Sequence, residues 1–172
     1  TLYSLGLQFL TIGRAVRDRW PQANLIRTKV DTLAETTGER AQFIVEEHTQ
    51  GVYVYRATGE NAVETDSGIG KRVLLNLISA GKSILAFMDE RRREAVLEEA
   101  GLPGRTDNTI TSRPTLEAEL ERVRERGFAQ NDEESTEGLR SVGVPIMDAS
   151  ERVIGAISVS GPSHRFTEER FE

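Results

Sequence analysis

The residues best suited to chemistry in this chain are paired hydroxyls and a short glycine-lysine segment. Ser158 and Ser160 lie two apart in AISVSGP. Side chains alternate along a strand, so both hydroxyls point one way while Ile157 and Val159 point the other. Leu139 and Ser141 are also two apart, one segment earlier, and share a face in the same way. Such hydroxyls on neighbouring strands suit a polar pocket with a few placed donors. They suit a solvent-facing sheet surface equally well. Ala80-Gly81-Lys82-Ser83 resembles the end of a phosphate-cradling loop. That motif needs a second glycine five residues before Gly81, where Asn76 stands, so nucleotide binding is not expected. A helix starting near Ser79 still exposes the N–H groups of Ala80, Gly81 and Lys82. Together with the helix dipole these favour a bound carboxylate. The alternative is an ordinary capped helix with Gly81 packed against a strand.

Asn131, Asp132, Glu133 and Glu134 form an acidic run after a predicted strand. They read either as acceptors for a ligand hydroxyl or hard cation, or as a solvated charge run, the latter chiefly for Glu133 and Glu134. The two histidines, His48 and His164, are far apart and read as surface residues. No Ser-His-Asp arrangement is suggested. The absence of cysteine rules out disulfides, thiolate metal sites and a cysteine nucleophile. No enzyme is expected, and no cofactor or metal is implied.

The elements that would carry these residues follow from periodicity. Leu2, Leu5, Phe9, Ile12 and Val16 predict an amphipathic helix over 2–19, and Leu25, Ile26, Val30 and Leu33 a second one stopping near Gly38. Residues 41–48 and 52–58 read as a hairpin turning at Gln50-Gly51. Residues 62–75 read as a strand and a loop. Helices are predicted from Ser79, as N-cap, to Met88, over 89–100 and over 115–126. Strands follow at 128–132, 139–147 and 152–160, and Thr167 caps a last helix. Strands joined by short hairpins, with helices grouped apart, predict an α+β domain with an antiparallel sheet flanked by helices.

Several segments, in order, resemble the effector-binding domain of the IclR family of transcription regulators. They are YSLGLQFLTIG at 3–13, LAETTGE at 33–39, ISAGKSILAF at 78–87, the long stretch 107–146, and AISVSGPSHRFTEER at 156–170. The resemblance covers almost the whole chain. It implies a GAF-like or PAS-like sensor over 21–172, preceded by a linker or first helix at 1–20. It also implies an N-terminal winged helix-turn-helix that is not in this chain. The implied ligand is a small organic acid or aromatic metabolite. By motif, its site would hold Ser79, Ala80 and Gly81, with Asn131, Asp132, Leu139, Ser141, Ser158 and Ser160. The family often has His at position 76, Asp at 131 and Cys at 141, where this chain has Asn76, Asn131 and Ser141. Losing the acid at 131 removes a negative charge from the implied site.

The net charge of −6 argues against a grip on nucleic acid by these residues themselves. DNA is expected as a partner only through the winged helix. No run approaches the ~18 apolar residues of a membrane span, so no membrane partner and a cytoplasmic location are expected. A homodimer or homotetramer is expected, because family regulators bind two-fold DNA sites. The alternative to a transcription regulator is a GAF-like small-molecule sensor of another signalling protein. An HTH pattern upstream would separate the two.

Overall fold

The computed structural model describes residues 6–18, 22–65 and 67–167. Two helices come first, α1 (Gln8–Asp18) and α2 (Ala23–Thr37), then the hairpin strands β1 (Arg40–Glu47) and β2 (Gln50–Thr58). A short strand β3 (Arg72–Leu74) runs through a single 3-10 turn at Leu75–Leu77 into α3 (Ser79–Phe87). Helices α4 (Glu90–Ala100) and α5 (Arg113–Arg126) precede β4 (Ala129–Asp132), β5 (Leu139–Met147) and β6 (Val153–Pro162). The expected Thr167-capped helix falls beyond Thr167, outside the described residues, as do Leu2 and Leu5 of the first helix.

The six strands form one antiparallel sheet in the order β3-β2-β1-β6-β5-β4. The last strand in sequence therefore lies at the centre, against the first. One sheet face packs on α2, where Ile26, Val30 and Ala34 meet Ala41, Phe43 and Ile157. The other face carries α3, α4 and α5, with a core that includes Ile44, Leu75, Ile84, Leu116 and Ala156. The fold is α+β around an antiparallel sheet, as the strand and helix order predicted, and the helices lie on both of its faces.

Helix ends follow local chemistry. Gly38 and Gly127 end α2 and α5 in the left-handed region. Asp89 and Ser112 cap α4 and α5 through side-chain oxygens. Two local expectations differ. The β1–β2 turn is His48-Thr49, both at positive φ, and not Gln50-Gly51. A two-residue hairpin of type I′ needs such angles at both central positions. Gly51 instead sits in β2, where an added Cβ would lie 3.1 Å from Ile44 and 3.2 Å from Leu75. The N-cap of α3 is Ile78, with Ser79 as the first helical residue.

Candidate functional site

The face of the sheet under α3 changes character along its strands. Ile44 and Ala156 are apolar and fully buried, whereas the next same-face positions are Gln42 and Arg40 on β1 and Ser158 and Ser160 on β6. Register places Ser160 opposite both Arg40 and Ser141, and Ser141 opposite Asn131. A polar row thus crosses four strands beside the start of α3.

A cavity of about 90 Å³ opens over this row. Ser79, Leu139, Ser141, Ser158 and Ser160 line it, with Gln42, Thr65, Ser67, Ser135 and Thr136 adding polar groups and Tyr53, Val73 and Ile78 an apolar wall. Arg105 lines it from the exposed side. Among the described lining residues there is no carboxylate. Ser79 and Ser141 exchange a hydrogen bond of 2.7 Å between α3 and β5. Ser79 does not cap α3, because it is already the first helical residue. Gln42 donates to Ser67 at 2.5 Å, which holds the β2–β3 connection over the cavity.

Four expected site residues do not line the cavity. Ala80 is fully buried in the core under α3, and Gly81 packs on Leu75, whose carbonyl would be 2.1 Å from an added Cβ. The first bond of α3 is from the Lys82 N–H to the Ile78 carbonyl. That leaves the N–H groups of Ser79, Ala80 and Gly81 ahead of the ladder. Asn131 is buried and donates at 2.6 Å to the Leu77 carbonyl, so it fixes the turn that launches α3. Asp132 is exposed and accepts from Arg140 at 2.5 and 3.2 Å. The acidic run therefore diverges, and no three described His, Cys, Asp or Glu side chains converge to hold a metal.

Lys82 of the glycine-lysine segment forms an ion pair with Glu134, and both are buried. Burial pushes the Glu134 carboxyl above the usual carboxylate range, against the pull of the Lys82 ammonium. Its backbone is tied as well: the Glu134 carbonyl accepts from Thr109 at 2.6 Å, and its N–H donates to Asn131 at 3.3 Å. The pair thus anchors the segment that brings Ser135 and Thr136 to the cavity.

Gln42, Thr65, Ser67 and Arg105 carry no sequence motif. Gln42 does leave a trace, as a polar residue in phase with Ile44 in the otherwise apolar QFIV run. Gly143 is equally unmarked. An added Cβ there would lie 2.6 Å from the Ala80 nitrogen, so its absence lets α3 rest directly on β5, where Ser83 donates to the Gly143 carbonyl at 2.7 Å.

The fold and site are thus a two-sided α+β sheet with a polar cavity at one helix start. The family description "Bacterial transcriptional regulator IclR C-terminal" matches residues 18–172, and the chain belongs to the IclR family. It is 35% identical over 98% of its length to the HTH-type regulator ArcR of Halobacterium salinarum, covering 65% of that protein. It is 33% identical over 99% of its length to the KdgR regulator of Escherichia coli, again covering 65%. The crystal structure of Thermotoga maritima IclR superposes with a TM-score of 0.91 at 34% identity, covering 98% of this chain and 68% of that one. The C-terminal domain of KdgR gives a TM-score of 0.74 at 33% identity, covering 83% and 82%. The chain thus has the GAF/PAS-like fold of IclR C-terminal domains and spans about two thirds of these curated relatives. The relatives are named as transcriptional regulators, not enzymes.

Proposed function

We propose that this domain senses a small organic acid in the hydroxyl-lined cavity and passes its occupancy to a winged helix-turn-helix outside this chain. The observation that carries the reading is the meeting of the α3 start with Ser141, Ser158 and Ser160 around a cavity lined by Arg105 and by no described carboxylate. Oriented N–H groups and hydroxyls suit a carboxylate, and Leu139, Tyr53 and Val73 suit the carbon skeleton. Ala80, Gly81 and Asn131 serve the site by positioning α3, and Asp132 by bracing β4 on β5. The ligand acts on DNA binding through its different affinities for two arrangements of the regulator.

The working regulator is a homodimer or homotetramer in the cytoplasm. Leu7, Phe9, Leu10 and Ile12 on and before α1 are exposed, which suits an interface there. None of the described helices is long and apolar enough to cross a membrane.

The test uses the regulator with its winged helix and a labelled duplex from its own promoter. An acid that stabilises the domain in a thermal-shift screen should change DNA affinity by about 5–150-fold, the usual range of such coupling. Stabilisation of the domain with unchanged DNA affinity would remove the sensing role.

A further inference from the structure

Four charged side chains are buried among the described residues: Glu39, Arg40, Lys82 and Glu134. Three have counter-charges. Lys82 and Glu134 hold each other, and Glu39 receives Arg165 at 2.7 and 2.9 Å. Arg40 has no ion pair with a described residue. It is 2% exposed, and its side-chain hydrogen bonds to described residues all come from Nη1: to the Thr65 carbonyl at 3.2 Å, the Thr65 hydroxyl at 2.5 Å and the Ser67 hydroxyl at 3.4 Å. Nε is buried without a partner. The side-on fork of the guanidinium, Nε–H with Nη2–H, is the edge that takes a carboxylate bidentately. Here it carries no hydrogen bond to a described residue.

Burial and then the charge of Arg56 lower the Arg40 pKa, and the charge of Glu64 offsets them in part. A guanidinium stays charged through such a shift. A buried charge costs stability unless it is paired, and no described carboxylate forms an ion pair with Arg40.

The corner adjoins the cavity. Thr65 and Ser67, which hold Arg40, both line it, and so does Ser160, directly opposite Arg40 in register. Ser141 follows Ser160 on the next strand and bonds Ser79 at the α3 start. Two strand spacings separate Arg40 from Ser141, roughly 10 Å of backbone. A ligand lying along this row has the α3 start and the serine hydroxyls at one end. The Arg40 corner stands at the other.

We propose that Arg40 is a specificity residue that receives a second acidic group, so that the effector is a linear dicarboxylate spanning β6. This rests on the carboxylate reading of the cavity and sharpens it. The second carboxylate meets the Nε–Nη2 fork, the edge without a hydrogen bond to a described residue, while Nη1 keeps its contacts to Thr65 and Ser67.

The test is calorimetric titration of the chain with matched pairs: succinate against butyrate, glutarate against valerate, adipate against hexanoate. At least one diacid should bind about tenfold or more tighter than its monoacid, the effect of one charge-assisted bond. Arg40→Gln should level that pair, and Arg40→Lys should restore part of the preference. The parent comparison needs no variant, so a fold lost on substitution does not blunt it. Monoacids binding as tightly as diacids would overturn the role of Arg40 and leave the carboxylate site standing. A folded Arg40→Gln variant that keeps the diacid preference would overturn it too. Binding of neither class would remove the carboxylate reading, and this one with it.

Discussion

Lys82 and Glu134 hold each other where neither reaches water, with side-chain exposures of 1% and 9%. Removing one partner of such a pair strands the other. We expect Lys82→Met to cost about 3–5 kcal/mol at neutral pH, read by urea unfolding. The sign of the pH dependence follows from the raised folded-state pKa of Glu134. Between its unfolded and folded values the native state binds more protons, so stability falls as pH rises through that window. In Lys82→Met the window widens, and the deficit should shrink on acidification toward the ordinary glutamate value. A deficit independent of pH would contradict this. At the same scale, Ser160→Ala should weaken acid binding by roughly 0.5–1.5 kcal/mol, or about 1.5–3 if its partner is charged, measured by calorimetry. The sequence shows Lys82 as half of a phosphate motif and Glu134 as part of a solvated run. Their pairing spans 52 positions, and no local pattern records it.

At the scale of elements, α3 depends on close approach. Gly143 gives it room on β5 and Gly81 gives it room on the turn before it. Gly143→Ala should cost about 1–3 kcal/mol, because the obstructing atoms at 2.6 Å are the backbone of Ser79 and Ala80. It should also weaken ligand binding, since Ser79 moves with the helix. A melting temperature and acid affinity equal to the parent's would refute this placement of α3. Helix ends are legible in the sequence because glycine and capping residues act within one turn of themselves, as at Gly38 and Gly127. The hairpin turn is misleading for a physical reason. Gly51 is required by packing against Ile44 and Leu75, not by its φ, and His48-Thr49 takes the strained positions with help from Glu46, which accepts the Thr49 N–H at 3.0 Å. Ser79 looks like a cap, but its hydroxyl partner, Ser141, lies across the fold.

For the molecule as a whole, the serine face of β5 and β6 can be read from a period of two, since it needs only adjacent strands. The β1 share cannot. Placing Gln42 and Arg40 beside Ser158 and Ser160 requires the first strand to pair with the last, which the order of elements does not specify. The net charge of −6 bears on partners at this scale. The domain alone should show no sequence-specific retention of duplex DNA in a gel shift at low salt and micromolar protein. Specific retention would place a DNA contact within this chain.

The cavity over Ser141, Ser158 and Ser160 is central to the proposed sensing role, because a small acid must bind there. The most direct measurement is a calorimetric titration, into the parent and into Ser158→Leu, of an acid found by thermal shift. Ser158 lines the cavity and is 5% exposed, so the larger side chain takes up space the ligand needs. One acid per chain should bind in the parent, with no measurable binding in a Ser158→Leu variant that still melts cooperatively. Equal affinity in that folded variant would contradict the assignment and put the site elsewhere on the molecule.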